Sequence, residues 1–160
     1  MKILAIETSC DETAISVVEA KGGLKKPSFN VLSHVVASQV ELHAKWGGVV
    51  PNLAKREHQI NLVPVLKEAL EGTRGDTSVT TEVTPRGQLL ELKIKKILER
   101  ETELIAPFLE FIKNNGVPKV DAIAVTRGPG LEPALWVGIN FAKALALVWN
   151  KPLIPINHMG

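Results

Sequence analysis

The segment TSCDET, residues 8–13, concentrates groups that could do chemistry. Its hydroxyl and carboxylate side chains are those of Thr8, Ser9, Thr13, Asp11 and Glu12, and Glu7 directly precedes it. A tight turn here would expose hydroxyls and successive backbone N–H groups, which together can hold a phosphate. The carboxylates could bind Mg²⁺ beside that phosphate. A solvated polar hairpin would explain the same residues without any ligand.

Cys10 is the single cysteine of the chain, which excludes an internal disulfide framework and a cysteine-based zinc cluster. A nucleophilic cysteine needs a positioned base or cation to lower the pKa of its thiol. The sequence supplies no such partner next to Cys10, so we interpret it as a small packing residue.

A second candidate is HAKWGGVVP, residues 43–51, together with the positions just after it. Glycines permit unusual backbone angles and proline is favoured in a first helical turn, so a structural loop before a helix explains part of the pattern. It does not explain the clustering of His43, Lys55, Arg56 and His58. A binding surface for an anion or a nucleic acid is the alternative, and both interpretations stay open.

Two further candidates lie towards the carboxyl end. In TRGPGLEPALWVG, residues 126–138, the glycines Gly128 and Gly130 separate a strand pattern from a helix pattern, as in an anion site at a helix N-terminus. Many strand-to-helix connections need such a turn, so this signal is weak alone. His158 follows the last strand pattern, where a histidine could be a metal ligand at the start of a helix.

The elements that must position these residues follow from hydrophobic periodicity. Strands are predicted at residues 2–6, 14–19, 30–37, 120–126 and 153–156, and helices over 53–70 and 135–149. The order β-β-β-α-β-α-β predicts an α/β fold: an antiparallel meander continued by crossovers into a five-stranded mixed sheet. This is the order of a ribonuclease H-like or actin-like ATPase lobe.

The segment 72–115 interrupts that order and is interpreted as an insertion. Residues 72–85 predict a flexible loop, and residues 88–115 predict a helical hairpin arm that Pro107 should break or kink. Glu91 and Lys95 have the spacing of an i,i+4 ion pair.

Composition limits the class of protein. The chain has 160 residues, 45% of them hydrophobic, which fits one domain and excludes a disordered chain. The net charge of +2 excludes a surface that is basic throughout and binds polyanions everywhere, but it does not exclude a local basic patch. The most apolar stretch, 134–149, is shorter than the roughly 20 residues that span a bilayer. We therefore expect a cytoplasmic protein without membrane contact.

Four motifs occur in order: IETSCDET, HAKWGGVVP with Arg56 and His58, VTRGPGLEPALWVG, and the closing KALALVWNKPLIPINHM. Together they resemble the N-terminal lobe of the tRNA threonylcarbamoyladenosine synthase family, TsaD, formerly called O-sialoglycoprotein endopeptidase. The resemblance covers nearly the whole chain except roughly residues 72–115. It implies transfer of a threonylcarbamoyl group from threonylcarbamoyl-adenylate to N6 of adenosine 37, in tRNAs that read codons beginning with A.

The resemblance also implies site residues. Asp11 and Glu12 match the family's acidic pair, and His158 matches the first histidine of a site for iron or zinc. Lys55, Arg56 and His58 match the region that faces tRNA, and an ATP or adenylate-type ligand is implied. The residue patterns described above add Thr8, Ser9, Gly128 and Gly130 near the phosphate of such a ligand and His43 near substrate or tRNA. Asn52 and Lys55 stand where the family usually has Glu and Ser, which weakens the local assignment.

A second lobe, with further metal ligands, is expected to be missing, so residues 1–160 would form a single truncated N-terminal lobe. We predict that this chain alone neither binds the metal tightly nor modifies tRNA. It is expected to associate with itself or with a TsaB-like protein through the helices over 53–71 and 133–149. The alternatives are a non-catalytic TsaB-like scaffold, or a generic sugar-kinase or ATPase lobe of the same superfamily.

Overall fold

The computed structural model describes residues 1–23, 25–73 and 86–159. In chain order the elements are β1 (Lys2–Glu7), β2 (Glu12–Lys21), β3 (Ser28–Ser38), α1 (Val40–Ala44), α2 (Pro51–Glu71), α3 (Arg86–Ile97), α4 (Thr102–Asn114), β4 (Ala122–Gly128), α5 (Glu132–Trp149) and β5 (Leu153–Asn157). Every predicted strand is present, and β2 and β3 extend beyond their predicted ends. The five-residue helix α1 was not predicted.

The strands form one five-stranded sheet in the order β3-β2-β1-β4-β5. β1 pairs antiparallel with β2, and β2 antiparallel with β3, whereas β4 lies parallel to both β1 and β5. The predicted mixed sheet is therefore confirmed, with the meander and the crossovers at the predicted places. This strand order and direction are those of a ribonuclease H-like or actin-like lobe.

Alternation of side chains along β1 and β2 explains why these segments form strands with one buried face. Leu4 lies opposite Val17 and Ile6 opposite Ile15, and all four side chains are buried. Helices α2 and α5 pack against β2 and β4 and against each other. The core therefore lies between the sheet and these two helices, since burial of apolar surface is the main favourable term in folding.

Helix α2 begins at Pro51, the position where a missing N–H costs nothing. It continues through Pro64, which lies within its 21 residues. A proline inside a helix costs about 3 kcal/mol. The flanking side chains of Leu62, Val63, Val65 and Leu66 are all buried, and their packing offsets that loss.

The predicted hairpin arm is present as α3 and α4, but the break between them falls at residues 98–101 rather than at Pro107, which lies inside α4. The prediction of a break at Pro107 was wrong. Phe108 and Phe111 beside it are buried, and the Phe108 ring meets that of Phe141 edge to face at 5.7 Å between centroids. This tertiary packing holds α4 together.

α4 is part of the core rather than a projecting arm, because it packs on α2 and buries Leu104 as well. Ile94 of α3 and Leu98, which directly follows α3, join the same cluster. The Glu91–Lys95 ion pair is confirmed, with 2.8 Å between Oε1 and Nζ. The loop predicted over 72–85 falls, from residue 74 onward, outside the described residues. No helix in the described ranges is long and apolar enough to cross a membrane.

Candidate functional site

The candidate site lies where the carboxyl ends of three parallel strands meet. Glu7 is the last residue of β1, Thr126 lies near the end of β4, and His158 directly follows β5. In open α/β sheets this edge is the usual position of ligand sites, because the loops there rise around a shared crevice. The topology thus brings residues from both ends of the chain to one place.

Glu7 is the centre of that arrangement. Its Oε1 accepts a hydrogen bond from the Ser9 backbone N–H at 2.5 Å. Its Oε2 accepts from the Thr126 hydroxyl at 2.5 Å and lies 3.2 Å from His158 Nδ1. The His158 backbone N–H also donates to the Gly128 carbonyl at 2.8 Å. Because Nδ1 of His158 is taken by a carboxylate, Nε2 is the ring nitrogen left for a ligand.

Two opposing effects act on the Glu7 carboxyl. Burial raises its pKa, but hydrogen bonds from Ser9, Thr126 and His158 together outweigh burial and hold the pKa below its usual range. Glu7 is therefore ionised at neutral pH and provides a fixed negative charge at this edge of the sheet.

The three hydroxyls of the first hairpin do not face solvent, contrary to the prediction. Thr8, Ser9 and Thr13 are all buried. The Thr8 hydroxyl donates to the Ala134 carbonyl in the first turn of α5 at 2.9 Å. These hydroxyls therefore fasten the hairpin to its neighbours, because buried polar groups are nearly always hydrogen-bonded.

The predicted phosphate residues are nonetheless brought together. The Leu131 N–H donates to the Ser9 carbonyl at 2.7 Å, which holds the turn containing Gly128 and Gly130 against the first hairpin. A Cβ on Gly130 would lie 2.6 Å from the Ser9 carbonyl oxygen, so only glycine permits this approach. Gly138 is required in the same way, since its Cβ would lie 2.3 Å from Thr8 Oγ1. Phosphate binding there remains a prediction.

Asp11 and Glu12 lie at the tip of the hairpin, where Glu12 is exposed and Asp11 is partly buried. The Gln39 N–H donates to the Asp11 carbonyl at 3.0 Å and fixes the backbone of the tip. Cys10 beside them is exposed, so its interpretation as a packing residue was wrong. Desolvation and the Asp11 carboxylate raise the pKa of the Cys10 thiol, which disfavours a nucleophilic thiolate.

The His58 side chain contacts the first hairpin from the interior of the protein and does not reach the surface predicted to bind tRNA. Its side chain is fully buried, with Nε2 3.1 Å from the Cys10 carbonyl and Nδ1 2.7 Å from the Thr13 hydroxyl. A carbonyl can only accept, so Nε2 carries the proton and Nδ1 accepts from Thr13. Burial lowers the pKa of His58, which keeps the ring neutral. We therefore assign His58 a positioning role.

His43 is likewise buried and does not contact the surface. Its Nδ1 accepts from the Val50 N–H at 3.3 Å, so Nε2 donates to Gln39 Oε1 at 2.8 Å. Gln39 in turn holds the Asp11 backbone. His43 thus connects the loop before α2 to the hairpin, and its expected contact with tRNA is not supported by its burial.

Lys55 and Arg56 lie on the first turns of α2 and remain accessible. The Arg56 Nε is 3.2 Å from Glu103 Oε1 in an exposed ion pair, which contributes little to stability. Lys55 lines a cavity next to α5. Of the basic residues predicted to face tRNA, these two have charges that an external anion can reach.

His158 fits the role of one metal ligand but does not form a complete site. A carboxylate on one ring nitrogen, as Glu7 provides, fixes the tautomer and leaves the other nitrogen for a metal. Within residues 1–23, 25–73 and 86–159, no cluster of three or more His, Cys, Asp or Glu side chains could hold a metal ion. A tight metal site would need donors beyond these.

From the sequence alone, Glu7 was not identified as the centre of the site, and Thr126 was not identified as part of the site at all. A signal was available: each is the first polar residue after the apolar run of its strand. That the two strands are neighbours is seen only in the structure. The hydrogen bond from Asn140 to the buried Glu101, at 3.1 Å, was also missed. It had no sequence signal, because Glu101 lies in the turn before α4, Asn140 lies on α5, and the two meet only through packing.

Two solved structures share the general architecture. YeaZ from Pseudomonas aeruginosa aligns with 98% of this chain and 45% of its own at a TM-score of 0.45 and 15% identity. Thermus thermophilus RuvC aligns with 99% of this chain and 63% of its own at a TM-score of 0.40 and 12% identity. Both alignments are loose, and the fold assignment rests on the strand order described above.

Sequence comparisons are more specific. The family model for TsaD, tRNA N6-adenosine threonylcarbamoyltransferase, matches residues 30–80 and 99–160. Curated proteins of that name from Thermomicrobium roseum and Staphylococcus aureus are 42% and 38% identical over 99% of this chain. The chain spans about a third of their lengths, 31% and 33%. By these matches the chain belongs to the TsaD family of tRNA N6-adenosine threonylcarbamoyltransferases.

Proposed function

We propose that this chain forms part of an enzyme that moves a threonylcarbamoyl group from threonylcarbamoyl-adenylate to N6 of adenosine 37, in tRNAs that read codons beginning with A. The observation that carries the proposal is the contact between Glu7 and His158. It unites the first and last family motifs at one edge of the sheet. Because the chain belongs to the TsaD family, we interpret this contact as part of the transferase site.

Asp11 and Glu12 are the proposed catalytic residues. In the reaction, adenosine N6 attacks the carbonyl carbon of the threonylcarbamoyl group, the bond from that carbon to the adenylate oxygen breaks, and AMP leaves. N6 loses one proton as the new C–N bond forms. A carboxylate at the accessible hairpin tip can take that proton or orient the amino group. The fixed backbone of Asp11 supports such positioning.

One divalent metal, iron or zinc, is the proposed cofactor. His158 would be a ligand of the metal, and the Glu7 carboxylate would orient the His158 ring. When bound, the metal would act as a Lewis acid towards the transferred group. An ATP or adenylate-type ligand is proposed beside Thr8, Ser9, Gly128 and Gly130. The close packing of the hairpin on the Gly128–Gly130 turn supports a shared phosphate site there.

The proposed macromolecular partners are tRNA, near Lys55 and Arg56, and either a TsaB-like subunit or a second copy of this chain. The protein partner would contact the outer faces of α2 and α5. Exposed apolar side chains on those helices, Ile60 and Leu147, support that surface. A cytoplasmic location is part of the same proposal, since tRNA modification occurs there.

The test uses a chimera in which this chain replaces the matching third of the Thermomicrobium roseum relative. Given threonylcarbamoyl-adenylate and a tRNA transcript, the chimera should form N6-threonylcarbamoyladenosine, measured by mass spectrometry after digestion. We expect Asp11→Asn and Glu12→Gln to lower the rate at least about 100-fold, as loss of acid–base groups does. Glu110→Gln, which changes an exposed carboxylate on α4, is the matched control.

The isolated chain is expected to give no product under the same conditions, because it holds one proposed metal ligand. Robust product from the isolated chain would refute its predicted inactivity. A folded chimera that binds tRNA but keeps full activity with both carboxylates changed would refute the assigned roles.

A further inference from the structure

A cavity of about 450 Å³ opens beside the candidate site, between the start of α2, the turn joining α3 to α4, and α5. The side chains that matter for its chemistry are Lys55, Arg100, Glu101, Trp136, Asn140 and Lys143. Glu132 and Pro133 also line it, and they lie in the first turn of α5, shortly after Gly128 and Gly130 in the chain. The first turn of α5 therefore belongs both to the cavity wall and to the connection that leads from the candidate site.

Glu101 provides a buried hydrogen-bond acceptor in this cavity. The residue is only 1% exposed, and its Oε2 accepts from Asn140 Nδ2 at 3.1 Å. Its Oε1 makes no hydrogen bond to any residue that the structure describes. No side-chain polar atom in the described ranges is both sealed from solvent and unpaired. Because Glu101 lines the cavity, Oε1 is the acceptor atom left for a donor from a ligand there.

Trp136 provides an aromatic surface on the same wall. Its side chain is 46% exposed, unusual for a large aromatic residue on a helix that is otherwise packed into the core. The Lys143 Nζ lies 5.4 Å from the ring centroid. Lys55 and Arg100 bring two more positive charges to the rim. The cavity thus combines a ring, a buried acceptor and several cations.

We propose that this cavity binds one nucleotide of an RNA strand. The base stacks on Trp136, an exocyclic amino group of the base donates to Glu101 Oε1, and the phosphates lie near Lys55, Arg100 and Lys143. Stacking on aromatic side chains with hydrogen bonds to the base edge is how proteins read unpaired RNA. The proposal rests on the proposed function, since it assigns the neighbour of the modified nucleotide to this cavity.

The test measures binding of an anticodon stem-loop RNA to the 160-residue chain by fluorescence anisotropy, at one fixed salt concentration. Base stacking contributes about 1–3 kcal/mol per base, so Trp136→Ala should weaken binding by about 5- to 150-fold. Trp136→Phe keeps a stacking ring and should retain most of the affinity. Phe29→Ala, which removes an exposed ring on β3, is the matched control and should change affinity less than about twofold.

Glu101 is tested through base preference. A carboxylate acceptor favours bases with an exocyclic amino group, so the chain should prefer oligo(A) and oligo(C) to oligo(U) by about fivefold or more. Glu101→Gln should reduce that preference, because an amide can donate as well as accept.

Three outcomes overturn the inference. RNA binding that Trp136→Ala leaves unchanged would exclude this cavity while leaving the proposed function intact. An unchanged base preference in Glu101→Gln would exclude the assigned hydrogen bond. Absence of any RNA binding by the folded wild-type chain would overturn the cavity assignment, whereas the tRNA partner of the whole enzyme is tested by the chimera.

Discussion

Glu7 and His158 lie 151 positions apart in the chain, yet Glu7 Oε2 is 3.2 Å from His158 Nδ1. The parallel pairing of β1, β4 and β5 produces this contact, because it aligns the carboxyl ends of strands that are distant in sequence. A carboxylate against one ring nitrogen is the usual way to orient a histidine that serves a metal. The same contact also joins the end of β1 to the residue that follows β5. Both the fold at this edge of the sheet and the proposed metal ligand therefore depend on the Glu7 side chain.

Glu7→Gln should destabilise the fold, because one amide cannot reproduce the acceptor contacts of the carboxylate with Ser9, Thr126 and His158. Hydrogen bonds to charged groups contribute about 1.5–3 kcal/mol each, and a half-buried group keeps part of that. We expect the free energy of unfolding in urea to fall by about 2 kcal/mol.

Glu19→Gln is the control for that variant. Glu19 pairs with Lys21 at 2.9 Å in an exposed ion pair, and such pairs contribute little. Equal losses in the two variants would show that Glu7 is an ordinary surface carboxylate and not a structural centre.

Stability should depend on His58 at mildly acidic pH. Burial lowers the pKa of His58 below its usual value of 6.5, so the unfolded chain binds the proton more tightly than the folded one. The contribution of His58 is therefore full above about pH 6.5 and is lost as pH falls through the folded pKa. Urea unfolding between pH 7.5 and pH 5 should show a weaker decline in His58→Gln than in the wild type.

Asn61→Gln, a non-titrating change on the same helix, should keep the wild-type pH profile. The His58→Gln chain should also show faster amide exchange at Thr13, whose hydroxyl loses its partner. A His58→Gln profile that parallels the wild type would contradict the assignment of a buried, neutral imidazole.

Much of the fold could be predicted because short apolar runs mark the first three strands and short connections join them. Which side chains face the core was seen only in the structure, where Leu4, Ile6, Ile15 and Val17 are the buried ones. Pro107 could not be interpreted correctly, since its effect depends on Phe108 and Phe111 packing against other helices. Local preference predicts a break there, and tertiary burial overrides it.

The candidate site was predicted less completely than the fold. Motif positions identified the hairpin, the glycine turn and His158, which the sheet does bring together. Which way a polar side chain points is not encoded in its type, so Thr13, His43 and His58 were expected at the surface but are buried. From sequence alone, a buried structural histidine or hydroxyl cannot be told from one that binds a ligand, because the structural role and the binding role use the same hydrogen-bonding atoms.

Glu101→Gln should stabilise the chain at neutral pH. Burial raises the pKa of the Glu101 carboxyl, partly opposed by Asn140 and Lys55. The contribution of Glu101 is therefore full below the unfolded value of about 4.5 and is lost as pH rises through the folded pKa. Thermal unfolding should place Glu101→Gln above the wild type at pH 7, with a difference that shrinks towards pH 4.

If Glu101→Gln is more stable than the wild type but loses the preference for bases with an amino group, then Glu101 serves binding and lowers the stability of the chain. Glu99→Gln, which changes an exposed acid in the same turn, should show no comparable change between pH 4 and pH 7. Loss of stability in Glu101→Gln at pH 7 would contradict a buried carboxyl of raised pKa.

Gly130→Ala should separate the glycine turn from the first hairpin. The new Cβ would lie 2.6 Å from the Ser9 carbonyl oxygen, a backbone atom that cannot rotate away. Overpacking of this kind costs about 1–3 kcal/mol, measured as a fall in the free energy of unfolding. The Leu131 N–H, which donates to the same carbonyl at 2.7 Å, should exchange faster with solvent. Gly48→Ala is the matched control, because a Cβ there meets nothing within 4 Å. Equal stability and equal Leu131 exchange in the two variants would show that the hairpin and the turn are not held together as described.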